Sequence, residues 1–320
     1  MNQMIHPMRG DFFDRLRQAQ PGLPPKMARL AGYVSENYVQ VAIMSTRELA
    51  AAARVSLATV VRFPRLLRYP TFDALRSSIQ DRVNLELTGV ERLKTVTGSD
   101  HTPAAVLSRI IERDCESLRS LAQTFSDAEL ERFSARLLRS ERVHIVGARY
   151  VAPLATYFAY LLGKLKPNVE PWTQVDSSLF DRVHLMNKRE DVMVAITLPR
   201  YPADFMRLLG YASKRGIPIL AITDSRLSPV VSLAEATLLA RASTLDFVGS
   251  LAPAAALINC VVNHIGFRMG RRALDRLQRL EDAAAEAGIY VKSNGQAESA
   301  MNGNPAWSSR RNRKIRTEKN

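Results

Sequence analysis

Residues 46–68 read TRELAAAARVSLATVVRFPRLLR, and the N-terminal part of the chain is understood outward from them. Thr46 to Ala53 is a short amphipathic segment with Leu49 and Ala50 on one side. A turn is expected at Arg54, Val55 and Ser56, where the Ser56 hydroxyl suits an N-cap. A second helix then runs from Leu57 to about Leu67, with Val60, Phe63 and Leu67 inward at spacings of three and four. Pro64 falls inside it and is expected to kink or loosen its second half. Thr59, Arg62 and Arg65 are left outward. Ala50 is small enough to let the two helices approach, and Val60 plugs the gap. Four arginines, 54, 62, 65 and 68, and no acid lie between Arg54 and Arg68. This is the layout of a helix-turn-helix, whose second helix enters the DNA major groove. Arginine supplies both phosphate contacts and bidentate contacts to guanine. A plain helical hairpin with a solvated basic face has the same spacing.

The charge balance agrees with a polyanionic partner. The chain has 320 residues, room for two domains, and a formal net charge of +14. Part of the charge is terminal: SRRNRKIRTEKN, residues 309–320, holds six basic residues and one acid. Residues 291–320 read as a disordered basic tail, either an aid to nonspecific DNA binding or simply solvated. Two cysteines, Cys115 and Cys260, stand far apart with no metal-ligand spacing, so no disulfide framework or zinc site is expected. The opening MNQMIHPMRGDFFDRLR lacks a signal-type apolar run, and no stretch nears eighteen apolar residues. A cytoplasmic protein without a membrane anchor is expected.

A helix-turn-helix domain is expected over residues 9–90. It opens with a helix from Pro24 to Asn37 carrying Met27, Leu30, Ala31 and Val34. Tyr38 to Met44 reads as a short apolar connection, and Ser45 or Thr46 as the next cap. Beyond Pro70, Thr71 caps a helix with Phe72, Leu75, Ile79 and Val83 inward. Residues 88–102, TGVERLKTVTGSDHT, read as a linker region. A helix from Pro103 to Phe125 repeats Val106, Ile110, Leu118 and Leu121, making 91–125 a largely helical linker. Residues 126–290 then alternate helices and strands. Strands are expected at 142–146, 168–172, 191–197, 217–223 and 236–240, and helices at 126–137, 153–164, 177–187 and 203–214. Residues 246–287 read as helical, broken near Gly266 to Gly270. Such alternation implies an α/β fold with a doubly wound parallel sheet, joined to the all-α N-terminal bundle.

Ligands of open parallel sheets sit beyond the carboxyl ends of the strands. Three such ends are readable: Gly147-Ala148-Arg149-Tyr150-Val151, Thr197-Leu198-Pro199-Arg200-Tyr201, and Thr223-Asp224-Ser225. Arg149 and Arg200 are placed to clamp an anion, Tyr150 and Tyr201 to wall the site, and Thr197 and Thr223 to offer hydroxyls. Ion pairing, subunit contact and packing are the competing roles for these arginines and tyrosines. His144 falls in an expected strand, and His184 and His264 in expected helices, which suits packed or surface residues. No Ser-His-acid arrangement or paired-carboxylate site is readable, and no cofactor is expected. Only Gly147 of a Gly-x-Gly-x-x-Gly pattern is present, which disfavours a dinucleotide fold.

From Leu23 to about Gly288 the chain resembles the RpiR-type bacterial transcriptional regulators. These join an N-terminal helix-turn-helix domain to a C-terminal sugar isomerase (SIS) domain. Ser56-Leu57-Ala58-Thr59-Val60-Val61-Arg62-Phe63 resembles the family's recognition helix. Leu66-Leu67-Arg68-Tyr69-Pro70-Thr71-Phe72 resembles its Leu-Gly-Tyr-x-x-Phe segment, with Arg68 where that pattern has Gly. The segments around Gly147, Thr197 and Ile222-Thr223-Asp224, and Ser250 before the late helix, resemble the SIS architecture. Two departures bear on the ligand. The Ser of the family's Gly-x-Gly-x-Ser loop is Val151 here, and its Ser-x-Ser-Gly loop is Thr197-Leu198-Pro199-Arg200.

The resemblance implies a DNA-binding transcriptional regulator controlled by a small anionic metabolite, a sugar phosphate or organic acid. Its DNA partner would be a double-stranded operator, contacted by Thr46, Arg47, Arg54, Ser56, Leu57, Thr59, Arg62, Arg65 and Arg68. Arg149, Tyr150, Thr197, Arg200, Tyr201, Thr223 and Ser250 would form the effector site. A homodimer or tetramer is expected, with the apolar segment Leu251 to Val262 either a subunit interface or buried within one subunit. The competing classes are a sugar-phosphate isomerase with a basic N-terminal domain, and a nonspecific nucleic-acid-binding protein.

Overall fold

The computed structural model describes residues 12–96, 102–241 and 247–291. The chain forms two compact units, residues 1–268 and 269–320. The tail beyond residue 291, like the expected helix start at Asp246, lies outside the described residues.

Six helices build the N-terminal bundle: α1 (Phe12–Ala19), α2 (Pro25–Glu36), α3 (Tyr38–Val41), α4 (Thr46–Ala52), α5 (Leu57–Leu66) and α6 (Phe72–Glu86). The apolar positions read from the sequence become its core: Leu30, Val34, Leu49, Val60, Phe63, Leu75 and Ile79 are fully buried. Each such side chain contributes about 1.5–3 kcal/mol on leaving water. The expected apolar connection at residues 38–44 instead contains α3, which buries Val41. Helix starts follow local chemistry. Ser45 and Glu48 form a reciprocal capping box on α4, Ser56 Oγ accepts from Thr59 N, and Thr71 Oγ1 accepts from Ala74 N. Pro64 lies buried in the last turn of α5, and the helix ends two residues later. Its carbonyl accepts from Tyr69 N at 2.9 Å, and that of Arg65 accepts from Arg68 N at 3.1 Å, closing the end as a Schellman motif. Tyr69 O–H then donates to Ser78 Oγ at 2.8 Å, tying α6 to that end.

Residues 88–102 are not an extended linker throughout: α7 spans Gly89–Val96. The sequence does carry its signal. Thr88 and Glu91 make a capping box, with Thr88 N donating to Glu91 Oε2 at 2.7 Å and Glu91 N to Thr88 Oγ1 at 3.2 Å. The long α8 (Pro103–Thr124) forms as expected, but Ile110 and Leu118 are exposed rather than inward. Its periodicity is helical without a matching buried face. The expected helix at 126–137 is α9 (Asp127–Arg139), which buries Leu130, Phe133 and Leu137.

A five-stranded parallel sheet follows, in the order β2-β1-β3-β4-β5. Its strands are β1 (Arg142–Gly147), β2 (Val169–Trp172), β3 (Asp191–Ile196), β4 (Ile219–Thr223) and β5 (Ala236–Leu239). Every residue of β3 and β4 is buried, as near-continuous apolar runs require in a covered parallel sheet. Helices α10 (Ala152–Leu165), α11 (Ser177–His184) and α12 (Ala203–Lys214) make the crossovers. The chain goes from β1 out to β2 on one side, then crosses back to β3 on the other. The carboxyl ends of β1 and β3 therefore diverge, which opens a crevice at that switch point. Gly147 makes the turn into it, since a Cβ there would meet Ala155 Cβ and Val151 O at 3.1 Å.

The late helical region begins later than expected and is broken within the expected stretch. Residues 247–251 are not helical, α13 runs Ala252–Met269 through Gly266, and the break is at Gly270, with φ +54°. Pro253, Ala254, Leu257, Ile258, Val261 and Ile265 of α13 are buried within the subunit. Helix α14 (Arg271–Glu286) belongs to the second unit. No helix among the described residues is long and apolar enough to cross a membrane.

Candidate nucleic-acid interface and effector cleft

The outward face of α4 and α5 is basic and open. Arg47, Arg54, Arg62, Arg65 and Arg68 are all exposed, and among the described residues none of them forms an ion pair. A guanidinium with no carboxylate partner keeps its full attraction for phosphate. Arg54 and Arg68 stand at the C′ positions of α4 and α5 with φ of 52° and 60°. This is the backbone region in which a glycine is ordinarily found, which accounts for the Gly that the related pattern has at the position of Arg68. The Arg68 carbonyl also accepts from Arg15 Nη1 at 3.0 Å, so the turn is held from outside as well.

The other four residues of the expected DNA set are placed as follows. Thr59 is not outward: it is 9% exposed, and its hydroxyl lies 2.9 Å from Ser56 Oγ. Both hydroxyls serve the start of α5. Thr46 is half-buried at the first position of α4. Leu57 is exposed at the first position of α5. Ala58 and Val61 share the outward face, Val61 being 57% exposed between the arginines. The sequence reading passed over Val61 because an apolar residue beside Val60 looks like core. Helical phase separates them, since 57, 58, 61, 62 and 65 lie on one face.

The second site is a cleft of about 1150 Å³ at the carboxyl ends of β1 and β3. Arg149, Tyr150, Thr197, Arg200 and Tyr201 all line it, so five of the seven expected effector residues come together. Tyr150 O–H donates to the Pro199 carbonyl at 3.1 Å, bridging the two strand-end loops. Arg149 holds φ +59° in the first loop. Arg149 and Arg200 are exposed and form no ion pair among the described residues. Thr197 is 1% exposed, and its hydroxyl has no hydrogen-bond partner among the described residues. An unmade hydrogen bond at a buried hydroxyl costs about 1–3 kcal/mol, which a polar ligand in the cleft would offset.

Two expected residues drop out. Thr223 is fully buried behind the cleft, its hydroxyl 3.1 Å from Asp224 Oδ1 and 2.8 Å from Ser228 Oγ. Ser250 does not line the cleft; its Oγ accepts from Ala252 N at 3.1 Å and starts α13. Both are polar residues near strand or helix ends whose hydroxyls satisfy the fold. Tyr201 reaches past the cleft wall and donates to Asp224 Oδ1 at 2.7 Å. Burial, together with the Asp224 charge, pushes the Tyr201 hydroxyl well above its ordinary pKa, and burial likewise raises Asp224.

The structure adds residues that the sequence did not single out. Leu87, Gly89 and Arg92 reach the cleft from the end of the N-terminal bundle and from α7. Arg207 of α12 and Phe247 complete the wall. Among the described residues the only acid lining the cleft is Asp204, against four arginines. No histidine or glutamate lines it. His144 lies outside it, with Nδ1 2.7 Å from Glu170 and Nε2 3.2 Å from Asp191. There it packs on Trp172 as a structural residue. Among the described residues no group of three or more His, Cys, Asp or Glu is placed to hold a metal ion.

Comparison with known proteins matches both parts of the chain. The model of a helix-turn-helix domain, rpiR family, matches residues 11–85, and that of a SIS domain matches residues 136–261. The sugar isomerase domain of an RpiR transcription factor from Sphaerobacter thermophilus is 25% identical with a TM-score of 0.51, over 57% of this chain and 99% of that one. The Vibrio vulnificus NanR protein complexed with ManNAc-6P is 20% identical with a TM-score of 0.54, over 87% of this chain and 99% of that one.

Proposed function

The chain belongs to the RpiR family of DNA-binding transcriptional regulators, and we propose that a small anionic metabolite in the β1–β3 cleft controls its grip on an operator. The observation that carries the reading is arginine at both ends of the molecule's work. Unpaired, exposed arginines cover the face of α4 and α5, and four arginines face one acid in the cleft. In this reading Arg62 and Arg65 of α5 meet base edges, Val61 meets a thymine methyl, and Arg47, Arg54 and Arg68 meet phosphates. The protein acts as a homodimer or tetramer, so that paired α5 helices read half-sites one helical turn apart.

The effector is a sugar phosphate, the class to which the ManNAc-6P of the Vibrio vulnificus NanR complex belongs, or an organic acid. Arginine forks suit phosphate and carboxylate alike. The cleft binds without turnover. Aldose–ketose isomerisation uses a positioned acid–base pair, and Asp204 alone among the described cleft residues has a carboxyl group.

Selection of genomic DNA by the full-length protein, followed by gel shifts on selected and random duplexes, tests this. Arg62→Ala is expected to lower the ratio of selected to random affinity by about 1–3 kcal/mol. An unchanged ratio overturns the base-contact role. Incubation with a panel of sugar phosphates is expected to give no isomer. Turnover that disappears in Asp204→Asn moves the protein into the enzyme class.

A further inference from the structure

Helix α14 takes no part in the DNA face or the cleft, yet it is built to meet another helix. Along its sixteen residues Ala273, Leu277, Leu280 and Ala284 recur at spacings of four, three and four, with Leu274 beside them. Such a seam packs on a facing helix. Only Ala273 and Ala284 are buried, however; Leu274 is 64% and Leu280 42% exposed. Ile289 and Tyr290, just past the Gly288 turn that closes the helix, are exposed as well.

The charges of α14 run against its own dipole. The first half holds Arg271, Arg272, Arg276 and Arg279 with Asp275, and the second half holds Glu281, Asp282 and Glu286 with no base. Bases in a first turn and an acid in a last turn are both unfavourable to the helix. Gly270 at its start supplies no capping side chain. An isolated helix not much longer than about 12–15 residues gains little stability of its own in water. Arg271 is paired along the helix with Asp275 at 3.2 Å. Arg272, Arg279, Glu281 and Glu286 are exposed and form no ion pair among the described residues.

One arrangement satisfies both the seam and the charges. A second α14, laid antiparallel about a two-fold axis between Leu277 and Leu280, sets each Leu277 beside the other copy's Leu280. Each Ala273 then lies beside the other copy's Ala284, where small side chains let the helices approach. The basic half of each helix runs along the acidic half of the other. Parallel pairing would set bases on bases and acids on acids. Residues 292–320 of the same chain are a poor cover for the seam, because Met301, Trp307 and Ile315 are their only large apolar residues.

Resting on the reading of the protein as an oligomer, we propose that α14 is a self-recognition helix, pairing antiparallel with α14 of a second copy of this chain. The contact is isologous, so every interaction in it is made twice. A helix about 24 Å long buries less than the roughly 1,200 Å² of a stable interface. The α14 pair therefore strengthens and orients the assembly rather than holding it alone.

Sedimentation equilibrium of the full-length protein over a range of concentrations tests the pair. Wild type is expected to self-associate. An acidic double variant, Arg272→Glu with Arg279→Glu, and a basic one, Glu281→Arg with Glu286→Arg, are each expected to weaken association at least about tenfold. An equimolar mixture of the two is expected to recover most of the wild-type affinity, because an acidic helix then meets a basic one. Leu280→Glu, at an exposed position, is expected to weaken association as well. Melting curves confirm that the variants fold. The pair is overturned if both charge variants associate as wild type does, or if their mixture associates no better than either alone. Cover of the seam by residues 292–320 also overturns it, and shows as charge variants without effect and a truncation after Val291 that raises self-association. A wild type that stays monomeric at every concentration removes the oligomer reading, and the pair with it.

Discussion

Arg54 and Arg68 hold φ of 52° and 60° at the ends of α4 and α5, where glycine meets no Cβ penalty. A left-handed non-glycine residue costs about 1–2 kcal/mol, part of which glycine returns as unfolded-state entropy. Arg54→Gly and Arg68→Gly should each therefore stabilise the fold by about 0.5–1 kcal/mol, read by chemical denaturation. The same variants should weaken binding to selected and random DNA alike and lower the salt slope by about one each. A stabilised variant with unchanged DNA affinity would show that the strain serves no phosphate contact. The arginines and their positions were plain in the sequence. The left-handed backbone was legible only at Arg68, through the replaced Gly of the related pattern, and not at Arg54. The inward turn of Thr59 was not legible, because a threonine at position three of a helix satisfies an outward contact or a capping hydroxyl equally well.

At the scale of elements, α6 is the helix through which the bundle meets the sheet. Its Asp81 pairs with Arg241 at 3.6 Å and lies near Asp224 and Ser225 at the end of β4. Desolvation outweighs Arg241, and the Asp224 charge adds to it, raising Asp81 from 3.8 to about 6. The neutral carboxyl is thus favoured in the folded state. Its stabilising contribution is complete below pH 3.8 and is lost as pH rises through about 6. Asp81→Asn is expected to flatten the stability profile across that window and to raise the melting temperature near neutral pH, with up to about 3 kcal/mol at stake. A profile that keeps its slope in the variant would place the titration elsewhere. Core positions follow simpler rules: Phe63→Ala in α5 should cost about 3–5 kcal/mol. Its burial was readable from periodicity alone, whereas nothing in the spacing around Asp81 announces that a carboxylate on α6 is buried beside a sheet. Helix α7 lies between these cases. Its Thr88–Glu91 capping box was present in the sequence, under a stretch whose polar composition reads as linker.

Over the whole molecule, the α4–α5 face and the basic residues 309–320 both contribute to a net charge of +14. Truncation after Asn304 is expected to weaken all duplexes equally, leaving the ratio of selected to random affinity intact. A change in that ratio, measured by gel shift at two salt concentrations, would give the terminal segment a part in recognition. The sequence by itself determined the order of helices and strands, the helix-turn-helix and the parallel sheet. These rest on near-neighbour physics: apolar period, capping hydroxyls and the buried strand runs of β3 and β4. It also placed Arg149, Tyr150, Thr197, Arg200 and Tyr201 at strand ends, which a crossover sheet necessarily gathers on one edge. What only the tertiary structure decided is which strand ends share a crevice and what else enters it. The order β2-β1-β3-β4-β5 sets the divergence between β1 and β3 and leaves Thr223 of β4 sealed behind it. Packing of the bundle against the sheet brings Arg92 into the cleft and buries it there. Such contacts join residues more than fifty positions apart, and their energy depends on desolvation and on distances that no local pattern of the chain encodes.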